Sequence, residues 1–88
     1  MGIFNVQYGV IPAGGVQTVS VGGRPPPFTA TLTSTASNRA INLSTNHLAT
    51  PAFSWPNDAI STGMINTVIT GPVTDIQFVG NPGDAWEV

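Results

Sequence analysis

The chain contains no cysteine and no lysine, and its only histidine is His47. Without cysteine there is neither a disulfide nor a thiolate ligand, and one histidine cannot complete a structural zinc site. Charged residues make up 7% of the chain, against about 25% in ordinary globular domains. The net charge is −2, and Arg24 and Arg39 are the only cationic side chains apart from His47. Two arginines do not make the basic patch that a phosphate backbone requires, nor one that an anionic membrane surface would attract. Nucleic acid and membranes are therefore excluded as expected partners. No apolar run approaches the roughly 20 residues that cross a bilayer as a helix. The opening Met1-Gly2-Ile3-Phe4-Asn5 has no basic region followed by an apolar block, so no signal peptide is expected. The myristoylation pattern wants Ser or Thr where Val6 stands. Synthesis in a cytoplasm, without export, is the expectation.

At 88 residues the chain has room for one domain, read as spanning 1–88. A domain of this size buries only about 60–65% of the surface its unfolded chain exposes, and such domains usually need a staple. With disulfide and zinc excluded, the staple left is self-association. The low charge agrees with it, because a dispersed monomer normally carries more charge and the cores of interfaces carry less.

What is present is β-branched residues, threonine, and glycine–proline punctuation. Period-two alternation marks strands. Ile3–Tyr8 places Phe4, Val6 and Tyr8 on one face. Val16–Val21 opposes Val19 and Val21 to Thr18 and Ser20. Phe28–Ser34 turns Phe28, Ala30 and Leu32 inward and its threonines outward, and Ala40–Ser44 turns Ile41 and Leu43 inward. Met64–Thr70 is apolar on both faces, Met64 and Val68 against Ile65 and Ile69, which reads as a central strand covered twice. Val73–Val79 alternates Ile76 and Phe78 with Asp75 and Gln77. Between these two runs, Gly71-Pro72 suits a II′ hairpin, with an arch between two sheets as the alternative. Gly80-Asn81-Pro82-Gly83-Asp84 signals a type II turn, and Ala85–Val88 closes the chain. Pro25-Pro26-Pro27 reads as a stiff extended connector in preference to a PxxP ligand. Thr45–Gly63 is irregular and long for a structureless loop, which points to function or an unrecognised element. The expected fold is all-β: a small β-sandwich or barrel of about six or seven short strands, oligomeric, with residues 1–15 as a candidate exchanged arm.

Chemistry is sparse. Asp58, Asp75, Asp84 and Glu87 are the only acids. Two of them would have to converge in a cleft for glycosidase chemistry, and a domain this small has little room for one. His47 stands beside Ser44, Thr45 and Asn46 but without a nucleophile elbow, and reads as a solvated loop residue. Asn57-Asp58 and Asn81/Asp84 offer too few oxygens for calcium. The Gly14-Gly15 and Gly22-Gly23 pairs lack the following helix of a phosphate cradle. Asn42-Leu43-Ser44 matches a glycosylation sequon, read as chance within a strand. No catalytic residue, cofactor or metal is expected. Trp55, Asn57 and Asp58 are the candidate stacking and hydrogen-bonding set for a saccharide.

Residues 70–80 (TGPVTDIQFVG) followed by 83–88 (GDAWEV) resemble the closing strands of small bacteriophage virion proteins, in which a GPVT-x-I strand and a GD-x-W-x-V strand end a short, cysteine-free, Thr/Ser/Gly-rich domain. The rest of the chain shares only composition with them. The resemblance implies a non-enzymatic virion protein: a capsid decoration, head or tail accessory protein. Its partners would be copies of itself, as a trimer or other symmetric oligomer, and other virion proteins. Phe4, Val6, Tyr8, Trp86 and Val88 on the terminal strands are the candidate interface residues. A carbohydrate- or receptor-binding module is the alternative.

Overall fold

The computed structural model describes residues 6–45 and 64–88 in full and the backbone alone at 53–56. Eight strands form among these residues: β1 (Tyr8–Val10), β2 (Val16–Ser20), β3 (Phe28–Thr33), β4 (Ala40–Ser44), β5 (Phe53–Pro56), β6 (Met64–Ile69), β7 (Asp75–Val79) and β8 (Ala85–Glu87). They build two four-stranded sheets. Sheet A has the order β1-β8-β3-β6 and sheet B the order β2-β7-β4-β5. All pairings are antiparallel.

This order has a simple origin. The first strand pairs with the last, the second with the second-last, the third with the sixth and the fourth with the fifth. That is one long hairpin, rolled so that β8 also meets β3 and β7 also meets β4. Only β4 and β5 are consecutive strands within one sheet; every other connection crosses from one sheet to the other. Eight strands in this arrangement make a double-sheet jelly roll.

The expectation of an all-β sandwich holds. The strand at 53–56 falls inside the stretch read as irregular. The Gly71-Pro72 connection is the arch and not the hairpin, because β6 lies in sheet A and β7 in sheet B. Gly71 accordingly lacks the positive φ that a II′ turn would demand, whereas Gly83 has φ +94 in the turn before β8. There the Asp84 N–H donates to the Asn81 carbonyl at 3.0 Å, as a type II turn requires. Of the strand expected at Ile3–Tyr8, residues 3–5 lie outside the described residues, and among the described ones the first strand is Tyr8–Val10. The proline run is not one extended polyproline segment, since the Pro26–Pro27 bond is cis.

The core lies between the sheets. Sheet A contributes Ala30, Leu32, Ile65 and Ile69; sheet B contributes Val19, Ile41, Leu43, Ile76 and Phe78; Ile11, Val21, Val73 and Val88 close the ends. Phe78 is fully buried and stacks on Trp86 with ring centroids 5.3 Å apart and an interplanar angle of 16°. Burying a side chain of this size contributes about 1.5–3 kcal/mol. The strand β6 corrects a second expectation. It is an edge strand, not a central one, and its burial alternates strictly: Ile65, Thr67 and Ile69 are buried, Met64, Asn66 and Val68 exposed.

Candidate functional site

Strand register places every outward side chain of sheet A. Val10 pairs with Ala85, Ala85 with Thr33 and Thr33 with Met64, making one row across the four strands. Tyr8, Glu87, Thr31 and Asn66 make the next, and Thr29 and Val68 continue the pattern. Successive residues of a strand point to opposite faces, so these rows form the outer face. Apolar groups sit at its two margins. Val6, Tyr8 and Val10 are 58%, 77% and 59% exposed along one; Met64 and Val68 are 42% and 57% exposed along the other. Between them runs a stripe of threonines, in which the Thr31 hydroxyl donates to Asn66 Oδ1 at 2.9 Å. Among the described residues, Glu87 is the only Asp, Glu, Lys or Arg on this face.

The same register separates the expected interface set. Tyr8 lies opposite Glu87, while Gly9 lies opposite Trp86. Tyr8 therefore shares the outer face with Glu87, and Trp86 points inward. Trp86 is half-buried against Phe78, and Val88 is buried in the core. Of the five residues expected at an interface, Val6 and Tyr8 are on the surface, Trp86 and Val88 are packed within the chain, and Phe4 lies outside the described residues. Val10 was missed, although the alternation of positions 6 and 8 continues through it. Asn57 and Asp58 of the saccharide set, and the side chain of Trp55, also lie outside the described residues, as does His47.

The remaining acids do not converge. Asp75 lies on sheet B, where its Oδ2 accepts from the Thr74 hydroxyl at 2.8 Å. The Asp84 carboxylate accepts from the Asn81 N–H at 2.6 Å within the turn, and Glu87 is on the opposite outer face. Among the described residues no three His, Cys, Asp or Glu side chains form a group able to hold a metal, and no helix is long and apolar enough to cross a membrane.

Two concavities are lined by described residues. A cleft of about 670 Å³ opens at the end of the sandwich where Gly22 and Gly23 approach Leu43, Thr45 and residues 68–74. Its lining carries no ionisable side chain. A shallower depression of about 310 Å³ lies on sheet A, lined by Tyr8, Thr31, Thr33, Ala85 and Glu87 together with Gly9 and Trp86. It joins an exposed aromatic ring, two hydroxyls and a carboxylate. Near the start of β1, Arg24 Nη2 donates to Gln7 Oε1 at 3.2 Å and the guanidinium lies 5.4 Å from the centre of the Phe28 ring, tying the β2–β3 connection to the N-terminal strand.

Comparison with protein-family models, with curated proteins and with solved structures finds no significant match to this chain.

Proposed function

We propose that the chain is a non-enzymatic structural protein of a virus particle, a capsid decoration or head or tail accessory protein, acting through copies of itself. The observation that carries this reading is the outer face of sheet A: a broad β surface with apolar margins and a single carboxylate. Such a face is costly to leave in water and suits burial against protein. The jelly-roll strand order supports the particle assignment by analogy only, since viral capsid domains use it and so do lectins. The sparse charge of the whole chain points the same way. Light scattering after gel filtration tests self-association, with a trimer or larger closed oligomer expected and a stable monomer counting against it. Mass spectrometry of particles purified from the host lysate tests the location; absence of the chain's peptides from those particles removes the virion assignment.

The depression at Tyr8 favours one second reading, a saccharide-binding module. Its ring offers a stacking surface and Glu87, Thr31 and Thr33 offer polar anchors, the usual mixture of a small-ligand site. Screening the wild type and Tyr8→Ala on a glycan array separates the readings: glycan binding lost in the variant while the native mass is unchanged would favour the saccharide.

A further inference from the structure

We infer that β1 and β6, the two edges of sheet A, are the two halves of one contact: β6 of one copy docks beside β1 of a second copy, head to tail, and sheet A runs on from copy to copy around a closed ring. The inference rests on the self-association part of the proposed function and is independent of the virion assignment.

Strand direction permits it. Sheet A is antiparallel throughout and has an even number of strands, so β1 and β6 run in opposite directions. Setting β6 of one copy beside β1 of the next in the same orientation therefore continues the antiparallel ladder without a break. Side-chain level also permits it. Met64 is on the level of Val10 and Asn66 on the level of Tyr8. At zero shift, apolar meets apolar at the first level and an amide meets the phenol at the second, with Val68 and Val6 beyond them. Cross-strand pairs of this kind are the unit of sheet stabilisation.

Among the described residues, neither edge strand carries a charge, a lysine or a proline, and shortness protects β1 alone. Native edge strands are blunted by lysine, inward charge, proline or bulges. The chain has no lysine, and neither Tyr8–Val10 nor Met64–Ile69 contains a charge or a proline. In sheet B, β2 likewise has no charge or proline but exposes Thr18 and Ser20 beside a single Val16, and β5 ends on Pro56. Closure decides between a ring and a pair. A two-fold dimer through either edge leaves the other apolar margin in water, whereas a head-to-tail ring covers both in every copy. β1 limits the ladder to three residues, about 10 Å, and one such contact falls below the roughly 1,200 Å² of a stable interface. Two contacts per copy in a closed ring supply what one does not.

The test blocks one edge at a time. Val10→Lys places a charge on the outer face of β1 and Val68→Lys places one on β6. Both positions are more than half exposed, and circular dichroism checks that each variant folds. Tyr8→Lys and Val68→Glu serve as a second pair. Native mass is read by light scattering at about 100 µM, high enough to populate contacts of micromolar strength. The wild type is expected as a ring and each variant alone as a monomer. An equimolar mixture is expected to give a one-to-one heterodimer weaker than the ring and dissociating on dilution from this concentration, because the Val10→Lys copy keeps an intact β6 and the Val68→Lys copy an intact β1. Loss of assembly in only one of the two variants, or in neither, overturns the edge contact while leaving self-association standing. A monomeric wild type overturns both.

Discussion

Gly9→Ala isolates the packing of edge strand β1 against Trp86 of β8. A Cβ at position 9 would lie 2.9 Å from Trp86 Cζ2 and 3.2 Å from Cε2, closer than carbon atoms pack. The indole cannot simply retreat, because its other side is stacked on Phe78, which is fully buried. Two effects oppose each other. Removing glycine from a strand stabilises by about 0.4–1 kcal/mol through the unfolded chain. Overpacking a filled site costs about 1–3 kcal/mol. The second wins, and a net loss of about 1–2 kcal/mol is expected. For a domain of this size that lowers Tm by about 4–8 °C per kcal/mol. It is a sizeable share of the roughly 4–13 kcal/mol that a chain of 88 residues has in total. Urea unfolding followed by tryptophan fluorescence measures it, at two protein concentrations because self-association shifts the transition by mass action. The decisive step is a double-mutant cycle with Trp86→Leu, which removes the ring the new methyl would strike. In that background Gly9→Ala should become neutral or stabilising, a coupling of at least about 1 kcal/mol. Equal effects of Gly9→Ala in both backgrounds, or a wild-type background in which it stabilises, would refute the contact.

Two glycines distinguish an arch from a hairpin. Gly71 has no positive φ, and a Cβ placed on it would meet no atom within 4 Å, so Gly71→Ala is expected to leave the urea midpoint unchanged or raise it slightly; Gly83, at φ +94, should lose about 1–2 kcal/mol as alanine by the same assay. A costly Gly71→Ala would instead indicate the II′ turn. Arg24→Ala removes the hydrogen bond to Gln7 and the cation over Phe28, and is expected to cost about 1–2 kcal/mol. Arg24→Lys should recover less than half of that, because the ammonium lacks the planar fork; full recovery in thermal unfolding would mean that charge alone matters. Phe78→Ala, at the centre of the core, should cost about 3–5 kcal/mol and leave the chain largely unfolded on warming.

The fold was legible where one face is apolar and the other is not. Ala30 and Leu32 against the threonines of β3, Ile41 and Leu43 in β4, and Ile76 and Phe78 in β7 all turned inward as their alternation requires. Local turn chemistry was legible too, since Pro82-Gly83 needs only its own four residues. What was not legible is what depends on pairing between distant strands. Nothing local in Gly71-Pro72 distinguishes a reversal within one sheet from a crossing between two; the outcome is set by β6 pairing with β3 and β7 with β2 and β4. Likewise the face occupied by Tyr8 is fixed by its level with Glu87 in a strand almost eighty positions later. Tyr8 and Trp86, read together from the sequence, lie on opposite faces of sheet A, because alternation gives the two faces of a strand but not which face of another strand joins them.

The case of β6 shows how that ambiguity carries information. A strand apolar on both faces has two physical explanations: its second face is covered by the chain itself, or by something else. The covered-twice reading assumed the first. In the fold β6 is an edge strand, and Val68 stands 57% exposed on the outer face. The hydrophobicity that reads as evidence for a central position is thus left largely exposed at Val68. The same holds for Val6 and Val10 on the opposite edge, in a chain that places no charge on either strand. Single exposed apolar residues are ordinary on any protein. Apolar residues ranked at matching levels on both edges of one sheet are not scattered in this way, and the proposed burial of both margins by neighbouring copies would account for their position, their spacing and the lack of charge together.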